Sequence, residues 1–303
     1  MPFTLEPRFV ATPAPSYAVF AHGGGVLLFP GMYGTELSAL GSAYWSETGE
    51  TFVPASIDGS AVNLSATPEV RPMFNGVVTP KGFAFCGVYG HHAAMLTVGP
   101  TARLEPSPFV PPPESLRIND LIIDAKGTWW LAGYNNGDEA KGRIYSSPDG
   151  KTWTLAVQGK HWTLARLLAN GDRLIGLQFK QFSEVTPDGI VKLGSAKAHL
   201  DDAVFTSNAI VAVGEGLVSV LGTGAKKTKY APCPVPSKPI SLLATADGAL
   251  LGGQQGLFHA TDGLEWKQIS AAPVMALVNS KSGPLVVSPK AEVFALRHSM
   301  PTV

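Results

Sequence analysis

The sequence is poor in the residues that build metal and disulfide frameworks. Its 303 residues include only two cysteines, Cys86 and Cys233, and no Cys-x-x-Cys motif. Two cysteines cannot form a metal site without other ligands, and they are too few for a disulfide framework. His91 and His92 are adjacent, and neighbouring side chains on a strand point to opposite faces, so we expect surface histidines. We therefore expect no metal and no cofactor.

Charge is also scarce, and it is balanced. Charged residues make up 15% of the chain, and 23 basic residues match 23 acidic ones, so the formal net charge is zero. A nucleic-acid-binding protein normally carries a clear excess of positive charge, so this class is excluded. Lys226, Lys227 and Lys229 form the one dense basic stretch. We expect a solvated loop there, with a phosphate or an acidic partner as the alternative.

Long hydrophobic runs are missing as well. The first fifteen residues, MPFTLEPRFVATPAP, have no basic region followed by an apolar stretch, so they do not resemble a signal peptide. No later apolar run reaches the length of a membrane-spanning helix. These absences predict a cytoplasmic protein that has no membrane partner.

What the sequence does contain is a repeat. Short turns, each between two apolar runs rich in β-forming residues, recur mostly at the ~40–50-residue spacing of propeller blades. Glycine and asparagine suit these turns because they adopt positive φ cheaply. The repeat predicts an all-β, seven-bladed β-propeller of the WD40/YVTN-like kind, with one domain over residues 1–303 and six or eight blades as alternatives. The turns are His22-Gly23-Gly24, Pro80-Lys81-Gly82, Ala125-Lys126-Gly127, Asn170-Gly171-Asp172, Ser207-Asn208, Ala246-Asp247-Gly248 and Lys281-Ser282-Gly283.

The two ends of the chain are predicted to meet in one blade. The last repeat offers only three strands, PVMALV, PLVVS and EVFALR, before the C-terminus. The segment from Phe3 to Val10 is a strand that belongs to no other repeat. We expect it to form the outer strand of the last blade, where it covers an exposed edge and where Pro7 is tolerated.

A second turn motif follows the third strand of several repeats. Its clearest copy runs from Ser147 to Trp153, SPDGKTW, and the copy at 46–52 has lost its aspartate. We expect the aspartate to accept turn N–H groups, the glycine to take a conformation that other residues avoid, and the aromatic ring to pack between sheets. The structural residues of these motifs are Ser147, Asp149, Gly150, Trp153, Asp188, Gly189, Asp262, Gly263 and Trp266.

This motif resembles the Asp-box, or BNR, repeat of the sialidase-like propeller superfamily, Ser/Thr-x-Asp-x-Gly-x-Thr-Trp/Phe. The copy at 147–153 is one residue shorter than the family pattern. The resemblance implies a propeller and raises sialidase activity, which in that family needs a cluster of three arginines and an Arg-Ile-Pro motif. This chain has Arg117-Ile118-Asn119 instead. We expect none of its eight arginines on equivalent central strands, so the resemblance implies a non-catalytic member.

Binding residues are predicted on the propeller face that carries the loops between second and third strands. In the first three repeats these loops are long, and each begins with a glycine followed closely by a tyrosine. Tyrosine suits binding surfaces, although these rings could instead pack within their own blades. We predict a non-enzymatic propeller that binds another protein, as a scaffold, assembly factor or inhibitor. The alternative is a glycan-binding or glycoside-hydrolase-like propeller. The predicted rim residues are Tyr33, Glu36, Tyr89, His91, His92, Tyr134, Asn135, Asn136, Asp138 and Glu139.

Overall fold

The structure, a computed structural model, describes most of the chain. The described residues are 3–11, 17–22, 24–30, 43–57, 60–61, 75–79, 82–86, 94–98, 103–107, 117–135, 141–160, 166–225, 227–236 and 240–298. All regular secondary structure within these ranges is β-strand. None of them forms a helix long and apolar enough to cross a membrane.

The strands of the first half of the chain form three sheets after an N-terminal strand, β1 (Phe3–Val10). Sheet I contains β2 (Tyr17–His22), β3 (Gly25–Pro30), β4 (Tyr44–Ser46) and β5 (Val53–Pro54). Sheet II contains β6 (Ser56–Ile57), β7 (Ser60–Ala61), β8 (Asn75–Thr79), β9 (Gly82–Cys86), β10 (Ala94–Val98) and β11 (Arg103–Ser107), in the order β7-β6-β11-β10-β9-β8. Sheet III contains β12 (Arg117–Ile123), β13 (Trp129–Asn135), β14 (Lys141–Ser147) and β15 (Thr154–Lys160).

The strands of the second half form four sheets. Sheet IV contains β16 (Arg166–Asn170), β17 (Arg173–Gln178), β18 (Gln181–Thr186) and β19 (Gly189–Ser195). Sheet V contains β20 (Asp202–Phe205), β21 (Ala209–Gly214), β22 (Leu217–Gly222) and β23 (Lys229–Pro232). Sheet VI contains β24 (Ile240–Thr245), β25 (Gly248–Gly253), β26 (Gly256–Ala260) and β27 (Lys267–Ser270). Sheet VII contains β28 (Ala276–Ser280), β29 (Gly283–Val287), β30 (Glu292–His298) and β1.

The strand repeat predicted from sequence is confirmed. In the six four-stranded sheets the first and second strands pair antiparallel on either side of one of the predicted turns, and in sheet II β8 and β9 do so. The all-β class is also confirmed, with six four-stranded antiparallel sheets. The count of seven blades stays a prediction, because sheet II has six strands and β6 joins β11 in parallel.

The N-terminal strand lies where it was predicted. β1 pairs antiparallel with β30 from Phe3, opposite His298, to Val10, opposite Glu292, and thereby forms the fourth strand of sheet VII. The register shifts between Pro7 and Phe9. A proline cannot donate a ladder hydrogen bond, so an outer strand tolerates it where a central strand would not. Residues far apart in the chain therefore complete one sheet.

The chain divides into two compact units. Unit 1 comprises residues 1–68, 98–105 and 233–303, and unit 2 comprises residues 69–97 and 106–232. In unit 1 the first strands β24, β28 and β2 lie next to one another, and in unit 2 the first strands β8, β12, β16 and β20 do so. One domain over residues 1–303 stays a prediction.

Apolar cores lie between neighbouring sheets within each unit. In unit 2, Ile175, Leu177 and Phe182 of sheet IV pack with Ala212 and Leu221 of sheet V. In unit 1, a corresponding core joins sheets VI and VII. Burial between sheets, rather than beneath one sheet, is the packing expected of propeller blades.

Candidate functional site

Most of the predicted rim residues lie outside the described residues. Tyr33, Glu36, Tyr89, His91, His92, Asn136, Asp138 and Glu139 belong to this group. Tyr134 and Asn135 are the last residues of β13. Tyr134 is half-buried, and its backbone lies between Arg117 of β12 and Gly142 of β14. A binding role for these ten residues therefore stays a prediction.

Each four-stranded sheet has two ends that carry different connections. The turn from first to second strand and, except in sheet VII, the turn from third to fourth strand lie at one end, which we call the hairpin end. The turn from second to third strand and the segment leading to the next sheet lie at the other, which we call the linker end. This alternation follows from antiparallel pairing of consecutive strands.

Left-handed conformations occur at both ends, and the linker ends include the glycines Gly216 and Gly256. At the hairpin ends every described residue with positive φ is a glycine, whereas the linker ends contain three that carry side chains. These three are Phe179 (φ 42°), Glu215 (φ 46°) and Ala291 (φ 58°). A side chain at positive φ costs energy, and strain of this kind often marks functional sites. The hairpin-end glycines are Gly24, Gly49, Gly127, Gly150, Gly171, Gly189, Gly224, Gly248, Gly263 and Gly283.

In two copies of the Asp-box-like turn, the aspartate accepts hydrogen bonds from backbone N–H groups of the turn. In the clearest copy, Asp149 Oδ1 accepts hydrogen bonds from the backbone N–H groups of Lys151 (2.8 Å) and Thr152 (2.9 Å). Ser147 Oγ accepts one from the N–H of Gly150 at 2.9 Å. These backbone donors lower the pKa of Asp149 because they stabilise its charged form, and the N–H of Thr152 has the larger effect of the two.

The copy at Asp262 repeats this arrangement, and the copy at Asp188 does not. Asp262 Oδ1 accepts hydrogen bonds from the N–H groups of Leu264 (2.8 Å) and Glu265 (3.0 Å). At the other copy, Thr186 pairs directly with Gly189, so Pro187 and Asp188 form a two-residue turn with an exposed aspartate. Gly189 takes the positive φ (134°) predicted for the glycine of this motif, and the structural role of Asp188 stays a prediction.

An aromatic side chain projects from the linker end of sheet IV. Phe179 and Lys180 form the turn between β17 and β18, and 52% of Phe179 is exposed. The carbonyl of Phe179 accepts a hydrogen bond from the N–H of Leu200, and that of Lys180 accepts one from Ala196, both at 2.7 Å. These bonds come from the segment that leads to sheet V, so the turn is held in place while its phenyl ring stays in solvent.

The same segment joins this turn to the linker end of sheet V. The ring of His199 meets the ring of Phe179 edge-on, at 5.4 Å between centroids and 74° between planes. The backbone N–H of His199 donates to Glu215 Oε2 at 3.0 Å. Gly214 allows this approach, because a Cβ there would lie 1.7 Å from the His199 carbonyl oxygen. We call Phe179, Lys180, His199 and Glu215 the Phe179 patch.

The patch was missed because its sequence carries no turn signal. Phe179 and Lys180 replace the glycine, asparagine or aspartate that usually occupies a two-residue hairpin turn. The run ending at Phe179 reads as the end of a strand, and the connection is short. The signal that could have located the patch is a junction between two apolar runs, Arg173–Gln178 and Gln181–Thr186, with no typical turn residue between them.

A charged cluster lies where the first strands of sheets III, IV and V begin. Arg166 of β16 pairs with Asp202 of β20 through Nη1 and Oδ1. Asp202 is buried, whereas 43% of the Arg166 side chain is exposed. We expected none of the eight arginines on equivalent central strands, but Arg117 begins β12 and Arg166 begins β16, which are the first strands of sheets III and IV.

The carboxylates of this cluster are engaged by the protein itself. Asp120 accepts hydrogen bonds from the N–H of Leu121 (2.9 Å, Oδ1) and from the N–H of Leu167 (2.6 Å, Oδ2). Asp202 Oδ1 accepts one from the N–H of Ala203 at 2.8 Å in addition to its contact with Arg166. Removal of Asp120 from water raises its pKa, and nearby Arg166 only partly offsets this. Asp120 thereby fastens β12 to β16.

Within the described ranges, no group of three or more histidine, cysteine, aspartate or glutamate side chains is arranged to hold a metal ion. Cys233 is a buried free cysteine, and its Sγ contacts the Val235 carbonyl oxygen at 3.0 Å. Burial raises the pKa of its thiol, so the reactive thiolate form is disfavoured.

Comparisons with known proteins define the fold class. No protein-family model matches the chain, and no curated protein does. Among solved structures, YCF48 bound to D1 peptide is 14% identical, with 97% of this chain aligned to 94% of that one and a TM-score of 0.61. Virginiamycin B lyase from Staphylococcus aureus is 12% identical over 98% and 100% of the two chains, with a TM-score of 0.67. The WD40 propeller domain of Doa1 is 8% identical over 96% and 97%, with a TM-score of 0.62.

These similarities make the chain a β-propeller. At such low identity they establish the fold alone, and the same fold serves both a lyase and WD40 domains. Membership of the Asp-box superfamily stays a prediction, since it rests on the turns described above.

Proposed function

We propose that this chain is a non-enzymatic propeller that binds another protein, and that the Phe179 patch is part of its docking surface. The observation that carries the proposal is the half-exposed phenyl ring of Phe179 at a φ of 42°. A bulky residue at positive φ is a genuine outlier, and it persists only where the surrounding structure imposes it. Here about half of the side chain stays in solvent despite the strain, so we infer that the strain serves to present the ring.

The composition of the patch suits a protein partner. Exposed aromatic rings are enriched at the centres of protein interfaces, where they supply apolar area at low conformational cost. Lys180 and Glu215 are exposed and carry opposite charges beside the ring. The edge-on contact with His199 supports the ring in one orientation. This arrangement is that of an interface anchor with a polar surround.

One solved relative in fold supports the class of partner. YCF48 bound to D1 peptide, which has a similar fold, is a complex with a peptide. The role proposed for this chain is to hold or cover its partner, as a scaffold, assembly factor or inhibitor. Binding roles for Tyr33, Tyr89 and Tyr134 remain part of the proposal.

The alternative of a glycoside hydrolase is less well supported. Such enzymes need two carboxyl groups that can reach a substrate. Asp120 and Asp202 lie on first strands that are separated by β16. Backbone N–H groups bind both oxygens of Asp120, and Arg166 and the N–H of Ala203 bind Oδ1 of Asp202. This pair is better explained as a contact that holds sheets III, IV and V together.

Site-specific photocrosslinking tests the proposal. Phe179 is replaced by p-benzoylphenylalanine, which keeps an aromatic ring at that position, and the protein is irradiated in cells of its source organism. The matched control carries the same residue in place of Val191, which lies on the outer strand β19 and is also 52% exposed. We expect a discrete protein adduct from position 179 and none from position 191. Equal adducts from both positions, no adduct from 179, or an adduct with a glycan would contradict the proposal.

A further inference from the structure

A cavity opens at the linker ends of sheets VI and VII, within unit 1. Its volume is about 330 Å³. Its apolar walls come from Leu5 of β1, Val286 of β29, Phe294 of β30, Ala272, Pro273 and Pro289. Ligand sites are typically concave, mostly apolar and about 300–1,000 Å³ in volume, with few polar groups. The cavity meets this description.

The turn that borders the cavity contains the third strained residue. Ala291 has a φ of 58° and is buried at the end of the turn between β29 and β30. Its N–H donates to the Ser288 carbonyl at 2.9 Å, and the Ser288 N–H donates to the Glu292 carbonyl at the same distance. Ser288 Oγ also accepts from the N–H groups of Lys290 and Glu292, each at 3.2 Å. These bonds fix the turn, so the cavity beside it is preformed.

The two charged residues that line the cavity are not equivalent. Glu292 Oε2 accepts a hydrogen bond from Ser288 Oγ at 2.9 Å, so its carboxylate is tied to the turn. Lys290 is exposed, and within the described part of the chain no carboxylate lies at ion-pair distance from its Nζ. Glu292 keeps its negative charge, but its Oε2 is bound to Ser288, so Lys290 is the group of the lining that can pair with an anionic ligand.

We propose that this cavity binds a small apolar carboxylate, whose hydrocarbon part fills the cavity and whose carboxylate pairs with Lys290. The volume corresponds to roughly eleven liquid water molecules, or roughly a dozen non-hydrogen atoms at the packing density of protein interiors. An arylalkanoic acid or a short fatty acid has this size. The site lies in the unit that does not contain Phe179, and it stands independently of the protein-binding function.

Titration with 4-phenylbutyrate, followed by ¹H–¹⁵N NMR, tests the proposal on the full chain. This probe has a phenyl ring, a short alkyl chain and one carboxylate, and 4-phenylbutan-1-ol is its uncharged counterpart. We expect saturable binding of the acid with a Kd of roughly 0.1–2 mM, as is usual for a ligand of this size. The alcohol should bind about tenfold more weakly, because it lacks the charge that pairs with Lys290.

Three variants test the apolar cavity, the charge of Lys290 and a control lysine separately. Ala272 is exposed, so Ala272→Trp should block the cavity without loss of folding and should abolish binding of both probes. Lys290→Gln should weaken binding of the acid about tenfold and leave the alcohol within about twofold. Lys281→Gln, which changes an exposed lysine at the hairpin end of the same sheet, should change neither. Absence of saturation at 10 mM acid, or equal effects of the Lys290 and Lys281 variants, would overturn the proposal.

Discussion

Sheets IV and V use different residues for left-handed turns at their two ends. At the hairpin ends these positions are Gly171, Gly189 and Gly224, whereas at the linker ends they include Phe179 and Glu215. Glycine takes such conformations without steric cost, and each side chain there costs roughly 1–2 kcal/mol. At the hairpin ends, glycine thus allows tight turns without steric strain. The linker ends keep side chains at a cost to the fold, which is the pattern expected of a surface used for recognition.

The largest effect is expected where a hairpin-end glycine also packs closely. Gly248 has a φ of 146°, and a Cβ there would lie 2.1 Å from the Ala260 carbonyl oxygen. Gly248→Ala should lower the free energy of unfolding by about 3 kcal/mol or more, since strain and overlap add. Urea denaturation measures this difference.

The matched control is Gly171→Ala. Its φ is 58°, and a Cβ there would meet nothing within 4 Å. Only the conformational cost remains, so we expect a loss of about 1 kcal/mol. Equal losses in the two variants would mean that close packing does not distinguish the hairpin-end glycines.

A smaller effect is expected from the charged cluster of the first strands. Asp202→Ala removes the partner of Arg166 and the acceptor for the N–H of Ala203. We expect the free energy of unfolding to fall by about 2 kcal/mol, which is less than for a fully buried pair because 43% of the Arg166 side chain is exposed.

The control is Asp188→Ala, which changes an exposed turn residue and should alter the free energy of unfolding by no more than about 0.5 kcal/mol in the same urea experiment. A larger loss from Asp188 than from Asp202 would refute the structural role of the cluster.

Two carboxyl groups of sheet III should give the stability opposite dependences on pH. The pKa of Asp120, in the middle of β12, is raised, so its protonated form is favoured by folding. Its stabilising contribution is present below the ordinary pKa of 3.8 and is lost as pH rises through the folded value. Wild type should therefore gain stability relative to Asp120→Asn as pH falls from 7 towards 4.

The counterpart at the hairpin end of the same sheet is Asp149, whose pKa is lowered. Its contribution is present above pH 3.8 and is lost as pH falls through the lower folded value. Wild type should therefore lose stability relative to Asp149→Asn under acidic conditions. Urea denaturation of the three proteins across this pH range compares the two slopes, and slopes of the same sign would contradict the assignments.

The smallest effect is expected at Ala291 in sheet VII. Ala291→Gly relieves positive φ but adds flexibility to the unfolded chain, so the free energy of unfolding should change by less than about 0.5 kcal/mol. Gly283→Ala at the hairpin end of the same sheet should cost about 1 kcal/mol or more, because its φ is 111°. Thermal denaturation detects both shifts, and a larger cost at Ala291 would remove the contrast between the ends.

The sequence was sufficient to predict the local part of this architecture. The glycine and asparagine turns, the strands beside them and the partnership of Phe3–Val10 with the last sheet follow from short-range patterns and from one unpaired strand. The Asp149 turn was predictable for the same reason, since its donors and acceptors lie within a few residues of one another.

Long-range features were not predictable in this way. The contact between Arg166 and Asp202 joins residues 36 positions apart and depends on how two sheets pack. The added pairing of β6 with β11 has no marker in its own short segments. Phe179 adopts a left-handed conformation because the segment from sheet IV to sheet V holds its turn, and no local residue signals that contact.

The measurement that bears most directly on the role of the linker end is the parallel stability and affinity of Phe179→Gly. Glycine accommodates a φ of 42° but removes the ring, so folding and recognition should respond in different directions. We predict a free energy of unfolding equal to wild type or up to about 1 kcal/mol higher, with at least tenfold weaker binding of the partner captured at position 179. A clear loss of stability together with unchanged binding would contradict the account.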